Sequence, residues 1–377
     1  MSEFCLVIFI DAYPFWALKG SRLTERLSYV RPVRPGFGYS INCQAELFTG
    51  KSPDELGYWC EYSFDPGNGV VRSRALSILD TLRPWRIPNR ACHRFADKLL
   101  GKRTKDIPFA YLPYFSKSGK EAFSREFPFK SILKNSSVRV LSYLDFLSLP
   151  NPKDRDESIF DGGIHLLKQN GANGLVLALG NFDNAGHWNT PGTEPYWAAR
   201  DAIEARTLEV LELAEAKYPD CTTIVISDHG MSPVERCIDL QIERQFGIPD
   251  RRRYVYFLEG TILRIWSADT KLRDEMECYL HEFTDVEVLS EEERNRLGIA
   301  TPSFGDLIAV TNDGTMWVPS FWGSLPSKGM HGYHPRHERQ HGIFLSNRAV
   351  DHYPSTLEAR QVAEILSQAI PEPLTSC

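Results

Sequence analysis

The chain has 377 residues, of which 42% are hydrophobic and 24% are charged, and its formal net charge is −6. This balance is ordinary for a soluble globular protein with a large core, and the lack of a basic stripe argues against a nucleic acid polymer as partner. No run of residues approaches the ~18–20 apolar positions that a membrane span needs.

The first predicted element is a buried strand, Cys5–Ile10, inside the apolar run "FCLVIFI". The run is too short for a membrane span and Asp11 follows it directly, while Glu3 argues against the basic start of a signal peptide. The eight cysteines are scattered and form no CxxC pair. We therefore expect reduced thiols and a cytoplasmic protein.

The next informative stretch is "GYSINCQAELFTG", residues 38–50, which holds three candidate nucleophiles: Ser40, Cys43 and Thr49. It contains no His or Lys that could activate any of them. Thr49 stands directly before Gly50, and a Gly at this place is typical of a helix end. Any chemistry in this stretch therefore depends on groups elsewhere in the chain.

Two longer segments look less regular than the rest. Residues from about 61 to 154 mix Pro, aromatic and basic residues, and we interpret them as a cap-type insertion. Residues from about 234 to 323 show a strand–helix–strand pattern, which predicts a small α+β insertion.

Apolar runs and helical spacing predict the core of the fold. Gly174–Gly180 and Thr222–Ser227 are continuous aliphatic runs typical of buried parallel strands, and Ala198–Lys217 between them has helical periodicity. Residues 356–370 predict another amphipathic helix. A strand–helix–strand unit of this kind indicates an α/β fold with a mostly parallel central sheet and helices on both faces.

An acidic residue follows each of the three predicted strands, Cys5–Ile10, Gly174–Gly180 and Thr222–Ser227, and a histidine accompanies it after the second and the third. Asp11 follows the first, Asp183 follows the second with His187 four residues on, and the pair Asp228–His229 follows the third. One such Asp alone is more often a turn former. Three carboxylates at the same edge of a sheet would repel one another, and a divalent cation removes that conflict. Zinc is the expected metal for such ligands, with manganese or iron as alternatives.

A histidine-rich stretch, Lys328–Phe344, offers a further ligand. His331 precedes a Gly where the backbone can turn sharply towards a site, so we expect it to be that ligand. His334 is expected beside the site, and His337 and His341 are expected in a polar surface loop.

The motifs "IDAY", "SINCQAELFTGKSPDELG", "DNAGH", "ISDHGM" and "MHGY" occur in this order along the chain. In residues and order they resemble the alkaline phosphatase superfamily, most of all its nucleotide pyrophosphatase/phosphodiesterase branch. The resemblance runs from Asp11 to about Ser346 and is weak in both insertions. It implies that residues 1–377 form one alkaline-phosphatase-like catalytic domain with insertions at about 61–154 and 234–323.

The resemblance also implies two divalent metal ions, most typically zinc. Its motifs assign one ion to the first strand-end Asp, the nucleophile and the Asp-His pair: Asp11, Ser40, Asp228 and His229. They assign the other ion to the Asp and His of the "DNAGH" segment and to the late His: Asp183, His187 and His331.

The nucleophile follows from a count along the same motif. In the family it lies nine residues before the Thr of the Thr-Gly pair, and counting back from Thr49 reaches Ser40. Many phosphodiesterases have Thr there, so Ser40 is a conservative departure. The implied reaction is in-line attack by a metal-activated Ser40, a phosphoseryl intermediate, and its hydrolysis by water.

Four residues are candidates for substrate binding. The family has an Asn about twenty residues after the nucleophile that binds a phosphate oxygen, and the count places Glu61 there. A carboxylate repels phosphate, so Asn42 is an alternative donor. Trp188, next to His187, is a candidate for the leaving-group pocket, and His334 completes the set. The departure at Glu61 leaves the choice between diester and monoester open.

The expected function is hydrolysis of a phosphodiester or pyrophosphate bond in a small soluble substrate of nucleotide or alcohol-phosphate type. The alternatives are a phosphomonoesterase or phosphonate hydrolase, a phosphomutase, and a non-catalytic metal-binding scaffold. A sulfatase would need a C-x-P-x-R pattern at Cys43, and "CQAEL" lacks both Pro and Arg. The sequence leaves the oligomeric state open.

Overall fold

The computed structural model describes residues 4–66, 69, 78–79, 86–100, 106–117, 138–169 and 172–370. The chain divides into two compact units. The first comprises Met1–Lys51, Glu121–Pro233 and Pro335–Cys377, and the second comprises Ser52–Lys120 and Val234–His334.

The β-strands in chain order are β1 (Cys5–Ile10), β2 (Tyr29–Arg34), β3 (Tyr62–Phe64), β4 (Phe115–Lys117), β5 (Val138–Ser142), β6 (Gly174–Leu179), β7 (Thr222–Ile226), β8 (Ser232–Pro233), β9 (Arg236–Ile238), β10 (Val255–Leu258), β11 (Ile262–Trp266), β12 (Val286–Val288), β13 (Leu307–Thr311), β14 (Thr315–Trp317), β15 (Gly329–Met330), β16 (Gly342–Ser346) and β17 (Leu357–Glu358).

The α-helices in chain order are α1 (Leu23–Arg26), α2 (Ser40–Thr49), α3 (Pro53–Leu56), α4 (Arg86–Leu100), α5 (Pro152–Lys168), α6 (Asn181–Trp188), α7 (Glu194–Lys217), α8 (Ile242–Phe246), α9 (Thr270–Leu280), α10 (Glu291–Arg296) and α11 (Ala359–Ala369). Short 3₁₀ turns cover Phe15–Leu18, Tyr143–Phe146, Pro302–Phe304 and Glu338–Gln340.

The first unit is built on a seven-stranded sheet with the order β17-β2-β16-β7-β1-β6-β5. Strand β1 is central and parallel to both β6 and β7, and β5 is parallel to β6. Strand β16 runs antiparallel to its two neighbours, β2 and β7. The predicted class, an α/β fold with a mostly parallel central sheet, is confirmed.

Helices cover both faces of this sheet, and the alternation of β1 shows why. Leu6, Ile8 and Ile10 point to one face and pack in a core with α5, α6 and α7. Val7 and Phe9 point to the other face and pack with α2 and α11. Because successive side chains of a strand alternate, a continuous apolar run has to be covered on both sides.

The second unit has its own antiparallel sheet, in the order β10-β11-β13-β12, and helix α9 packs against β12 and β13. Its core is rich in aromatic side chains and encloses Arg264, which donates to the Tyr62 carbonyl oxygen (2.9 Å) and lies 3.6 Å from Glu259. Strands β10 to β13 and helix α9 lie in the segment from residue 234 onward, and the interpretation of that segment as a small α+β insertion stays a prediction.

Element bounds differ from the predictions at helix starts. Helix α7 begins at Glu194, four residues before the predicted Ala198, because a Pro is accepted in the first turn of a helix.

Strand β5, at the end of the predicted cap segment, belongs to the sheet of the first unit. Residues 118–137 of that segment lie outside the described part of the chain, and its role as a cap stays a prediction. Among the residues described, no helix is long and apolar enough to cross a membrane.

Candidate active site

The carboxyl ends of three neighbouring strands meet at one edge of the seven-stranded sheet. Ile10 of β1 is in register with Leu179 of β6, and Phe9 with Ile226 of β7. The Asp11 amide continues this register by donating to the Leu179 carbonyl oxygen at 3.0 Å. Polar residues that follow these strands are therefore brought together by strand pairing alone.

Asp11, Asp228 and His229 form a buried cluster at this edge. His229 Nε2 lies 3.6 Å from Asp11 Oδ1 and 3.4 Å from Asp228 Oδ2. A ligand atom from each of Asp11, Asp183 and His229 lies within 4.8 Å of the others. The backbone supports the cluster, because the amides of Ala12 and His229 both donate to Asp228 Oδ1, at 3.3 and 3.1 Å.

The tautomer of His229 follows from its second ring nitrogen. Nδ1 lies 2.9 Å from the Gly230 carbonyl oxygen, which can only accept, so Nδ1 carries the proton and donates. Nε2 then presents a lone pair, and Ser40 Oγ, 2.9 Å away, donates to it. An imidazole held in this way is oriented as histidine ligands of metals usually are.

Gly230, the glycine after this histidine, lies where two backbone segments approach each other closely. A Cβ at Gly230 would lie 2.1 Å from the Arg339 carbonyl oxygen, and the Gly230 amide donates to the Gln340 carbonyl oxygen at 2.7 Å. Gly230 is therefore required for the close approach of two backbone segments and not for a positive φ.

Ser40 is the first residue of α2, at the end where helix amides point outward and favour negative charge. The turn before it is held by Asn42, whose Oδ1 accepts from the Tyr39 amide (2.9 Å) and whose Nδ2 donates to the Phe37 carbonyl oxygen (2.8 Å). Asn42 is fully buried. These bonds make it a support for the nucleophile's loop, and its contact with substrate stays a prediction.

The other two candidate nucleophiles of this stretch are placed differently. Cys43 is buried, with Sγ 3.2 Å from the Gly36 carbonyl oxygen. Thr49 Oγ1 donates to the Ala45 carbonyl oxygen (2.6 Å), and Gly50 follows with a φ of 71°. Thr49 and Gly50 therefore end the helix, as predicted.

Gln44 is a site residue that sequence reasoning missed. It is buried, and its Nε2 donates to Asp11 Oδ2 at 3.2 Å and to the Tyr143 hydroxyl at 3.4 Å. The available signal was its spacing, because residues four apart on a helix share a face and Gln44 is four residues after Ser40. One face of α2 thus carries both the serine and a side chain that holds Asp11.

The burial and mutual repulsion of the carboxylates in this cluster favour a bound cation. Burial raises the pKa of Asp11 well above its usual value, and the carboxylates of Asp228 and Asp183 raise it further. Burial also raises the pKa of Asp228, although the Ala12 amide that donates to this carboxylate opposes the rise. Asp11 Oδ1 and Asp228 Oδ2 accept no hydrogen bond from any residue in the described ranges. Two buried carboxylate oxygens and an imidazole lone pair are a donor set that fits a divalent metal ion.

Asp183 and His187 lie on α6, directly after β6. They are four residues apart on one helix face, and His187 Nε2 is 3.3 Å from Asp183 Oδ1. Trp188, at the end of the same helix, is 75% exposed. The structure therefore places a large apolar surface one residue from a predicted metal ligand.

The remaining predicted site residues belong to the second unit. Glu61 is half-buried directly before β3, and His331 is buried directly after β15. His334 is buried with Nε2 2.6 Å from Glu293 Oε1. Arg296 and His334 both lower the pKa of Glu293. A charged partner for His334 within its own unit was not predicted.

The prediction of a surface position for His341 is wrong. His341 is buried, with Nε2 3.3 Å from the Pro335 carbonyl oxygen, and burial lowers its pKa. The polar stretch that contains it runs directly into β16, an interior strand of the sheet, so its last histidine is drawn into the core. His337 is half-buried.

Comparison with known proteins identifies a family. The sequence matches the family profile described as type I phosphodiesterase/nucleotide pyrophosphatase over residues 21–334. A comparison with curated protein sequences gave no significant match.

Several solved structures share the fold. An inactive variant of murine ectonucleotide pyrophosphatase/phosphodiesterase 5, in complex with AMP, superposes with a TM-score of 0.64 at 15% identity, over 99% of this chain and 97% of that one. The human protein gives 0.59 at 17% identity, over 99% and 96%. Phosphonoacetate hydrolase from Sinorhizobium meliloti 1021, in complex with phosphonoformate, gives 0.64 at 15% identity, over 98% and 96%. The TM-scores show that these proteins share the fold of this chain, and at identities this low the similarity establishes the fold alone.

Proposed function

The chain belongs to the type I phosphodiesterase/nucleotide pyrophosphatase family, a metal-dependent family whose membership supports a phosphoester hydrolase, and on that premise we propose that it cleaves a phosphodiester or pyrophosphate bond of a small substrate through Ser40. The observation that carries the proposal is the 2.9 Å contact between Ser40 Oγ and His229 Nε2, next to the unsatisfied carboxylate oxygens of Asp11 and Asp228. A hydroxyl in this position is a weak nucleophile until a cation lowers its pKa.

We divide the ligands between two cations as the family motifs imply. Asp11, Asp228 and His229, together with Ser40, would hold one, and Asp183 with His187 would hold the other. His331 stays a predicted ligand of the second cation. The donor set of carboxylate oxygens and imidazole nitrogens suits zinc, with manganese or iron as alternatives. When bound, the cations would acidify the Ser40 hydroxyl and neutralise the phosphoryl oxygens.

The chain's own groups position the reaction. Ser40 Oγ releases its proton to solvent and attacks phosphorus in line. A new O–P bond forms, and the bond to the leaving alcohol or phosphate breaks while that group takes a proton from solvent. Ser40 is the first residue of α2, and the amino-terminal end of a helix favours nearby negative charge. Water then cleaves the phosphoserine ester and restores the Ser40 hydroxyl. His229, locked by its bond to the Gly230 carbonyl oxygen, keeps the Nε2 lone pair oriented towards the position where it and Ser40 would hold a cation.

The proposed substrate class rests on the family and on the molecules bound in structurally similar proteins. Murine ectonucleotide pyrophosphatase/phosphodiesterase 5 was solved with AMP, which favours a nucleotide-type or alcohol-phosphate ester for this chain as well. Phosphonoacetate hydrolase has the same TM-score, so phosphonate or monoester hydrolysis is the second candidate. A cytoplasmic location remains part of the proposal.

The test compares Ser40→Ala with Ser40→Thr in zinc-loaded enzyme, on bis-p-nitrophenyl phosphate, p-nitrophenyl phosphate and phosphonoacetate. We expect Ser40→Ala to lower kcat by about 10³-fold or more, as for removal of other nucleophiles. Ser40→Thr keeps the hydroxyl and should retain turnover. Mass spectrometry of quenched wild type should place a phosphate on Ser40.

Three outcomes decide the proposal. Near-normal turnover by Ser40→Ala would remove Ser40 as nucleophile. Faster hydrolysis of the monoester or the phosphonate than of the diester would favour the second candidate. No turnover of any of the three compounds with metal bound would favour a non-catalytic scaffold.

A further inference from the structure

The helix that carries Asp183 and His187 is capped by a side chain from another helix. Asp156, on α5, accepts a hydrogen bond from the Gly180 amide at 3.0 Å and another from the Asn181 amide at 2.9 Å. Gly180 is the cap residue before α6, and Asn181 is the first residue of this helix. Asp156 is only 4% exposed, so its carboxylate is committed to this contact.

Helix α6 needs this external cap because its own cap position is a glycine. Gly180 has no side chain, and the first amides of any helix lack partners within the helix. An acidic residue at an N-terminus both accepts from these amides and complements the helix dipole. Asp156 supplies both effects from a position 24 residues earlier in the chain.

Close packing of α5 on the sheet allows so short a side chain to reach the turn. A Cβ at Gly163 would lie 2.9 Å from the Leu177 side chain of β6, and one at Gly162 would lie 2.8 Å from Leu141 of β5. Gly163 is seven residues after Asp156, two turns along the same helix face. The two glycines therefore bring the Asp156 end of α5 close to the end of β6.

The start of α6 is held from a second side as well. A Cβ at Gly180 would lie 2.9 Å from the Tyr143 ring, so this ring packs directly on the Gly180 backbone. Asp183 is the third residue of α6 and His187 the seventh, and their positions follow from the position of this first turn.

We propose that Asp156 is a positioning residue that determines the cation affinity of the Asp183–His187 pair by fixing the start of their helix. This inference rests on the proposed role of that pair as metal ligands. The carboxylate of Asp156 acts on these two residues through the Gly180 and Asn181 amides, to which it is bonded. Groups that orient metal ligands in this way commonly account for about 10–100-fold in metal affinity.

The test uses Asp156→Asn, which is isosteric but replaces one acceptor oxygen by an amide donor. Its matched control is Glu157→Gln, the next residue on α5, whose carboxylate is half exposed and pairs with Arg206 at 3.1 Å. Metal-free protein is titrated with zinc alone, with the bound zinc counted at each step, and amide hydrogen exchange is measured at residues 180–184. Asp183→Ala marks the cation that belongs to this helix.

We expect Asp156→Asn to weaken the cation marked by Asp183→Ala by about 10–100-fold, to leave the other cation unchanged, and to speed amide exchange at the start of α6. Glu157→Gln should match wild type in all three respects. Asp156→Glu keeps both acceptor oxygens but adds a methylene, so its affinity should lie between those of wild type and Asp156→Asn. If Asp156→Asn does not fold, Asp156→Glu tests the inference in its place.

Wild-type affinity for both cations in Asp156→Asn and Asp156→Glu, with only a lowered melting temperature, would overturn the inference and leave the proposed function standing. Unchanged zinc binding by Asp183→Ala would instead overturn the second cation site, and the inference with it.

Discussion

Replacing Gln44 by Leu should separate catalysis from simple stability at this site. Leu keeps a similar volume but removes the amide that donates to Asp11 Oδ2 (3.2 Å) and to the Tyr143 hydroxyl (3.4 Å). Asp11 Oδ1 accepts no bond from the described residues, so the substitution would leave both oxygens of a buried carboxylate without a donor side chain.

The magnitude follows from the type of bond that is lost. A hydrogen bond to a charged group contributes about 1.5–3 kcal/mol, and a buried group left unsatisfied costs about 1–3 kcal/mol. We therefore expect metal-free Gln44→Leu to lose about 1–3 kcal/mol of unfolding free energy. In zinc-loaded enzyme, a misoriented Asp11 should lower kcat/KM by about 10–100-fold, which corresponds to about 1.4–2.7 kcal/mol.

The control is Thr49→Val on the same helix. It removes the bond from Thr49 Oγ1 to the Ala45 carbonyl oxygen (2.6 Å) at the far end of α2. This neutral bond contributes about 0.5–1.5 kcal/mol, so stability should fall a little while kcat/KM stays at the wild-type value.

Urea unfolding of metal-free protein and steady-state kinetics of zinc-loaded protein measure the two effects. Gln44→Leu with reduced stability but wild-type kcat/KM would refute the role of Gln44 in holding Asp11. If Thr49→Val lost as much kcat/KM as Gln44→Leu, the effect would come from disturbance of α2 as a whole.

Two further predictions follow from the same geometry. Removal of bound metal by a chelator should abolish turnover, and added zinc should restore it. Free zinc at 100 times its Kd should also add about 2.7 kcal/mol to the unfolding free energy. Full activity in protein shown to be metal-free would contradict the proposed chemistry. Gly230→Ala should destabilise the protein by about 1–3 kcal/mol in urea unfolding, because its Cβ would lie 2.1 Å from the Arg339 carbonyl oxygen. The control is Gly323→Ala, whose Cβ would meet no atom closer than 3.8 Å, and its unfolding free energy should stay near the wild-type value. Equal unfolding free energies of the two variants would show that the backbone at Gly230 can shift to accommodate a Cβ.

The predictions that were confirmed depend on short-range patterns. Continuous aliphatic runs identified β1, β6 and β7, and helical spacing identified most of α7. Because parallel strands present their carboxyl ends at one edge, the residues directly after them could be predicted to converge, and Asp11, Asp183 and His229 do lie together. Thr49 and Gly50 were recognisable as a helix end because that geometry is local.

The supporting residues could not be predicted in the same way. Gln44 holds a carboxylate 33 residues away, and Asp156 caps a helix that begins 25 residues later. A buried Gln in an amphipathic helix and an Asp near a helix start both have ordinary local explanations, so nothing in the neighbouring residues distinguishes them. The requirement for glycine at position 230 has the same origin, because its partner is the distant backbone at Arg339.

The sequence by itself determined the α/β class, the family and the set of candidate ligands, because strand periodicity, strand-end residues and motif order are all written in consecutive positions. Only the tertiary structure decided which groups hold those ligands in place. The His229 tautomer depends on a carbonyl oxygen, the orientation of Asp11 on Gln44, and the start of α6 on Asp156. These contacts exist only after helices α2 and α5 have packed on the sheet, since packing brings together side chains that are far apart in the chain.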